Sequence, residues 1–371
     1  MIGAGVVGCA VALTLARRGA DVALLEAEAG PGLGASGTNS GILHTGFDSP
    51  PGELETELIL ASGDVRDQLL RALRIPVLRC GAVMRPAGES ERDAVAAEAA
   101  TARHNGVRVL LHEDGTLEVP GESVTDPVVY TLALTAEAER QGAELRTRFR
   151  VAAIDQGAAG LTVRAEDGTA LPCGVAVNCA GLEADRVARL AGDDSFSIYP
   201  RKGEFLVFEP PDGKPLDRIL LPVPTRRTRG VLVFPTVDGK VVAGPTAVDL
   251  DDKRDWSVRA QARAEIMPKA VSIYPILEGA EPIAAYAGLR PAGREVNYVI
   301  GRSSACPALV NVAAIRSTGL SASLGIGRRV AEIVESLGVA LGPERELEGG
   351  DRPSFDGPWW RRTAEYRAVA A

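Results

Sequence analysis

Met1-Ile-Gly3-Ala-Gly5-Val-Val-Gly8-Cys-Ala-Val-Ala-Leu-Thr-Leu-Ala-Arg-Arg18-Gly19-Ala-Asp-Val-Ala-Leu-Leu-Glu26 is the stretch that decides the fold. Gly3, Gly5 and Gly8 have G-x-G-x-x-G spacing: the first permits a tight turn, the second lets backbone approach a diphosphate, and the third lets helix pack on strand. Residues 9–18 are small and aliphatic and read as a helix that Gly19 ends. Asp21 to Glu26 reads as a short, buried parallel strand. The helix start turns partial positive charge toward a phosphate, and Glu26, 18 residues past Gly8, is placed to accept both ribose hydroxyls. A ligand-free glycine loop explains the glycines but not Glu26. Only Met1 and Ile2 precede the turn, fewer residues than a central strand needs. The expectation is a start codon assigned too far downstream, because losing that strand would strip hydrogen-bond partners from both neighbours.

Outward from this unit, Gly and Ser dominate residues 30–41, and Leu54 to Ile75 has helical spacing before Pro76. A strand near Gly81, a polar helix from Ser90 to Asn105 and the run from Gly106 read as an inserted lobe. A helix over Pro127–Gln141 then leads to strands near Ala143, Val151 and Val175, so the alternation of strand and helix resumes. Residues 199–285 carry β-branched alternation and the turn Asp238-Gly239, which predicts an antiparallel sheet roofing a pocket. Strands at Asn297 and Leu309 and a helix over Ser321–Leu337 return to the first domain. The expected fold class is α/β (α+β overall): a Rossmann-like nucleotide domain of residues 1–80, 127–198 and 286–340. Residues 81–126 and 199–285 form a substrate-binding domain, and 341–371 a C-terminal tail.

The 371 residues are 46% apolar and 24% charged, enough for two lobes around a large pocket. A net charge of -8 argues against a nucleic-acid partner; Arg226, Arg227 and Arg229 bunch in a turn and read as a solvated loop. Cys9, Cys80, Cys173, Cys179 and Cys306 are odd in number and lack metal-ligand spacing, so neither a disulfide frame nor a metal site is expected, and the setting implied is reducing and cytoplasmic. No apolar run approaches the roughly 20 residues of a membrane helix. Pro358-Trp359-Trp360-Arg361-Arg362 reads either as a tail packed on the protein or as a peripheral membrane contact.

A long Gly/Ser segment followed by distant further nucleotide contacts points to FAD rather than to a simple NAD site. Gly34-Ala-Ser36-Gly-Thr-Asn39-Ser40-Gly41-Ile-Leu-His44-Thr-Gly46-Phe resembles the flavin-contacting segment of the D-amino-acid-oxidase-like (DAO) FAD oxidoreductases. The run through His44 and Pro50-Pro51-Gly52 is most similar to the L-2-hydroxyglutarate oxidase and glycerol-3-phosphate dehydrogenase branch. Val177-Asn-Cys-Ala180-Gly181, Pro200-Arg201-Lys202-Gly203, Ala287-Gly288-Leu-Arg290-Pro291 and Ile315-Arg316-Ser-Thr318-Gly319-Leu320-Ser321 extend the resemblance over nearly the whole chain. Many members of that branch carry a further iron–sulfur domain; no cysteine follows Cys306, so no such cluster is expected here.

The resemblance implies noncovalent FAD held by Gly3, Gly5, Gly8, Glu26, Ala27, Ser36, Asn39, Ser40, Gly41, Val151, Ala180, Gly181, Gly288, Thr318, Gly319, Leu320 and Ser321. Two readings stand for His44: a base that takes a hydroxyl proton as hydride leaves the adjacent carbon, or a fixed ring beside the flavin. Arg290, stiffened by Pro291, can grip a carboxylate or phosphate in bidentate fashion, with Arg316 and Lys202 as further anion contacts; the alternative for Arg290 is a structural ion pair. The activity expected is hydride transfer from a small anionic 2-hydroxy acid or polyol phosphate to flavin N5, with oxygen or a quinone-linked acceptor reoxidising it. An amino-acid oxidase and a catalytically idle flavin-binding partner protein are the alternatives.

Overall fold

Ile2 stands at the centre of the first sheet, forming parallel bridges to both Leu25 and Asn178. Its N–H donates to the Val177 carbonyl at 2.9 Å and its carbonyl accepts from Cys179 N–H at 2.8 Å. Strand Glu144–Arg146 pairs with Ala23–Leu25, and beyond Ile2 strand Ala176–Asn178 pairs with Leu309–Ala313, all parallel; Val299–Arg302 closes the row antiparallel. Ile2 alone therefore holds the central place in this row, by isolated bridges rather than as a strand. The computed structural model describes residues 1–158, 160–225 and 230–370, so Arg226, Arg227 and Arg229 lie outside the described residues.

The helices, in chain order, are α1 (Val6–Arg17), α2 (Leu54–Ala72), α3 (Glu89–His104), α4 (Pro127–Arg140), α5 (Ala184–Leu190), α6 (Ala262–Ile273), α7 (Gly319–Ser336) and α8 (Trp359–Ala370). α4 begins where its sequence says it should: Asp126 accepts the Val128 and Val129 N–H groups at 2.9 Å, and Pro127 occupies a position that needs no donor. α1 is buried through Cys9, Ala10, Ala12 and Ala16, small residues that let α4 and α7 approach closely. A Cβ on Gly327 of α7 would stand 2.5 Å from Thr14 Oγ1, so bare backbone is what this helix crossing requires.

The second sheet has nine strands. Its spine is the antiparallel pair Ile198–Phe208 and Ala284–Gly293, in register from Ile198 opposite Gly293 to Val207 opposite Ala284. One face, with Leu206, Phe208, Val241 and Ala243, packs on Ile266 and Ala270 of α6. The other carries Phe205, Val207, Phe234 and Tyr286 against Trp359 of α8. Two expectations change here. The sheet is mixed, because Ile219–Leu221 pairs parallel with Ala82–Met84. The boundary expected between residues 285 and 286 falls inside a continuous strand.

The described residues after 341 pack on the rest of the chain rather than trail from it. Gly342 and Arg345 N–H groups donate to Arg18 and Arg17 carbonyls, and the chain then crosses to α8. Trp359 and Trp360 are 2% and 6% exposed, so this aromatic pair is committed to the interior and does not present a membrane-interface anchor. No helix among the described residues is long and apolar enough to cross a membrane.

Gly8 is the tightest of the described glycines, since a Cβ there would lie 1.9 Å from the Gly3 carbonyl oxygen. Gly8→Ala is expected to cost about 1–3 kcal/mol through overpacking. A thermal melt compared with the parent protein checks this, and an unchanged midpoint would mean that α1 can slide on the sheet.

Candidate active site

The three glycines of the turn do different work. Gly3 has φ +102°, and a Cβ on it would meet the Cys179 carbonyl at 2.5 Å; Gly8 packs on Gly3. A Cβ on Gly5 would have only Ser36 Oγ near it, at 3.1 Å, and would stand in a cavity of about 960 Å³ that Gly5 lines. That volume lies at the upper end of the range for cofactor pockets. Ser36 Oγ accepts the Val6 N–H at 2.9 Å, which seats the Gly/Ser segment on the start of α1.

Glu26 lines the same cavity. Its Oε2 accepts the Ala4 N–H at 2.7 Å and its Oε1 the Glu28 N–H at 2.9 Å. Burial pushes its carboxyl up, and these two N–H groups oppose that rise. Each oxygen keeps a second lone pair for a ribose hydroxyl. Ala27, Asn39, Val151, Ala180, Gly181, Gly319, Leu320 and Arg316 also line the cavity. A bare-backbone cradle at Gly5, an acid acceptor and a helix start converging on one long cavity fit a dinucleotide such as FAD.

Three segments are stitched together where the flavin end would lie. Asn39 Nδ2 donates to the Ser317 carbonyl at 3.1 Å, and its Oδ1 accepts the Gly41 N–H at 2.9 Å. His44 N–H donates to Ser321 Oγ at 2.8 Å, and Arg316 N–H to the Pro291 carbonyl at 3.2 Å. A Cβ on Gly288 would touch Thr38 Oγ1 at 2.9 Å, so this strand and the Gly/Ser segment are in direct backbone contact. Thr318 Oγ1 sits between Glu55 Oε1 (2.7 Å) and the Tyr298 hydroxyl (2.8 Å). Ser40 Oγ accepts the Ile42 N–H at 3.4 Å. Gly8, Ser40, Gly41, Gly288, Thr318 and Ser321 thus hold the wall together rather than line the cavity itself.

His44 has a partner that sequence reasoning missed. Its Nδ1 lies 3.1 Å from Oε2 of Glu122, whose side chain is wholly buried. Glu122 Oε1 accepts from Thr45 N–H (2.6 Å) and Thr45 Oγ1 (2.8 Å). Burial alone would raise this carboxyl; the neighbouring His44 and the donors of His44 and Thr45 outweigh it and hold the group below the usual range. The pairing of Leu43 with Ser123 creates this contact. Arg66, equally unforeseen, is buried and donates to the carbonyls of His44 (3.2 Å) and Ser321 (2.8 Å).

Arg290 lies opposite Arg201 in the spine pair, on the sheet face shared with Gly203 and Gly288. Its guanidinium crosses Gly203, where a Cβ would collide with it, and donates to the Thr246 carbonyl at 3.0 Å. Burial lowers its pKa to about 10, Arg201 adds repulsion and Asp249 opposes; it is still a cation at neutral pH. No carboxylate among the described residues forms an ion pair with it. Lys202, one position along, points to the other face, where its Nζ meets Asp255 Oδ2 and the Ser257 carbonyl at 2.8 Å. Strand alternation therefore assigns Lys202 to tethering residues 255–257 and not to the side of Arg290.

α8 grips the start of the Gly/Ser segment. Arg362 donates to the Pro31 carbonyl at 3.2 Å and Thr363 Oγ1 to the Gly32 carbonyl at 3.3 Å. Arg367, which lines the cavity, donates to the Leu33 carbonyl (2.9 Å) and Glu28 Oε1 (3.1 Å), and lies 5.2 Å from the ring centroid of Trp256. Removing a charge-assisted contact of this kind costs enough to change affinity about tenfold or more. Arg367→Ala is accordingly expected to release FAD faster during dialysis, read as recovery of flavin fluorescence; unaltered retention would show that the loop holds without α8.

A glycine turn, a buried acid and a helix start on one cavity define a site of the dinucleotide-binding class. The chain belongs to the DAO family of FAD-dependent oxidoreductases, whose family model matches residues 1–333. It is similar to the glycerol 3-phosphate dehydrogenase of Caloramator mitchellensis, 28% identical over 91% of this chain and 73% of that protein. It is also similar to the L-2-hydroxyglutarate dehydrogenase of Escherichia coli K12, 26% identical over 67% of this chain; the match spans only 63% of that relative. The dithionite-reduced, FAD-bound L-alpha-glycerophosphate oxidase of Mycoplasma pneumoniae shares the fold at a TM-score of 0.85, with 24% identity over 95% of this chain and 98% of that one. Glycine oxidase of Geobacillus kaustophilus shares it at 0.78, with 23% identity over 96% and 98%.

Proposed function

We propose that this oxidoreductase oxidises the CH–OH carbon of a small anionic substrate, a 2-hydroxy acid or polyol phosphate such as L-2-hydroxyglutarate or glycerol 3-phosphate. The observation that carries the reading is the pairing of His44 with the buried Glu122 carboxylate. An alcohol holds its proton at neutral pH, so hydride can leave its carbon only as a base removes that proton. A neutral amine has no such need in the hydride step, and an ammonium group sheds its proton before that step. A carboxylate-backed histidine therefore favours an alcohol over an amino acid.

FAD, when bound, supplies the two-electron acceptor for that hydride. Gly3, Gly5 and Gly8 with the start of α1 would hold its diphosphate, and Glu26 its ribose. Ser36, Asn39, Ser40, Gly41 and Gly288 would form the wall on the flavin side, and the start of α7 at Thr318–Ser321 would bring N–H groups toward charge that develops on reduction. Arg290 binds the substrate's anionic group, which meets a desolvated cation that has no competing carboxylate; Arg316 is a second anion contact. His44 takes the hydroxyl proton as the carbon becomes a carbonyl. Oxygen or a quinone-linked acceptor completes the cycle. Names of relatives that act on glycerol 3-phosphate and L-2-hydroxyglutarate support this substrate class.

The test is anaerobic bleaching of the flavin band with glycerol 3-phosphate, L-2-hydroxyglutarate and a panel of amino acids added separately. One hydroxy compound is expected to bleach it; bleaching by amino acids alone, or by none, overturns the reading. His44→Asn is expected to slow bleaching by roughly 100-fold or more with flavin still bound. Arg290→Lys, which loses the bidentate fork, should weaken substrate binding by about 10-fold or more, measured as the substrate concentration that gives half-maximal bleaching rate.

A further inference from the structure

We infer that Glu122 is a positioning residue for the oxidation, fixing which ring nitrogen of His44 does the work; the inference rests on His44 being the base. An ionised carboxylate can only accept hydrogen bonds. With Oε2 of Glu122 at 3.1 Å, the proton of the neutral ring must sit on Nδ1, which makes Nε2 the basic nitrogen.

The environment is built more tightly than a loop anchor needs. Glu122 divides its oxygens: Oε2 serves the His44 ring, and Oε1 serves the Thr45 N–H and hydroxyl. Arg66 holds the His44 carbonyl and Ser321 Oγ its N–H. Ring, carbonyl and N–H of one residue are thus each held by a different element, the arrangement that keeps a reacting group within a fraction of an ångström of its working position. The two buried charges are not spent on each other, since Arg66 makes no ion pair with Glu122 among the described residues. Besides His44, the titratable groups facing Glu122 are Arg66 of α2 and Cys80; Arg66 in turn faces Asp67 and Tyr130.

Glu122→Gln separates positioning from anchoring. Its amide oxygen can still accept from Thr45, which turns the NH₂ donors toward His44 Nδ1 and forces the proton onto Nε2, the wrong tautomer for a base. The variant is expected to fold, to keep FAD and to bind glycerol 3-phosphate or L-2-hydroxyglutarate within about threefold of the parent, while the maximal bleaching rate falls roughly 100-fold. Without the carboxylate, the limb of the pH–rate profile that reports ring protonation should move to lower pH. Glu122→Asp, which restores the charge, should recover part of the rate. An activity-independent readout comes from ¹⁵N NMR, because the chain has only three histidines to assign: the His44 ring should carry its proton on Nδ1 in the parent and on Nε2 in Glu122→Gln. A Glu122→Gln protein with parental rate, pH profile and tautomer overturns the inference while leaving the base in place. If His44→Asn itself bleaches at the parental rate, the reading of His44 fails and this inference fails with it.

Discussion

Where a side chain on Gly8 would begin, the carbonyl oxygen of Gly3 already stands, and this contact between two pieces of backbone organises the nucleotide half of the molecule. It presses the start of α1 against residues 1–3, whose N–H and carbonyl groups are taken by Leu25, Val177 and Cys179. The turn then has nowhere to go but outward, so Gly5 meets the cavity. Glu26 is recruited by the same geometry: one of its oxygens closes the turn at Ala4, and the other side of the carboxylate faces the space the turn has opened. The acid that faces the cavity is also a strut of the turn beside it.

The nucleotide site was legible in the sequence because all of its parts are local. A glycine triplet, a helix of small residues and an acid at a fixed offset are joined by a few turns of chain, and periodicity reports them directly. α2 and α4 were legible for the same reason, with Pro76 ending one pattern and Asp126-Pro127 beginning the other. Glu122 was not, because nothing near it in the sequence marks it: it reaches His44 only through the pairing of Leu43 with Ser123, a match between two- and three-residue strands that carries no periodic signal. Arg66 was hidden differently, as one more charge on an amphipathic helix whose buried face happened to include it. Lys202 was misread because its position in the strand was known but its face was not. The register with Arg290 and the collision at Gly203 decide that face, and both are tertiary facts.

The site divides its charge by element. Negative charge at Glu122 stands behind the histidine, and positive charge at Arg290 stands on the sheet, each wrapped in hydrogen bonds to backbone. Under the proposed reading, an incoming anion and a departing proton each meet the charge that suits them. Both are costly for the fold to hold, because a buried ion is among the most expensive groups an interior can contain, and the surrounding hydrogen bonds offset that cost. This constraint ties the chemistry of the pocket to the integrity of the sheet around it.

The grip of α8 on the loop at Pro31–Leu33 has a consequence in time. Partners such as Arg362 and Pro31 are separated by 331 positions along the chain. During synthesis the glycine turn and Glu26 emerge well before α8, and until α8 follows the loop that continues from them stays without its clamp. Contacts of such long separation close late, after the loops between them have been ordered. The glycine turn and the clamp on its loop are thus separated in time, and α8 joins a nucleotide half whose own strands and helices precede it in the chain.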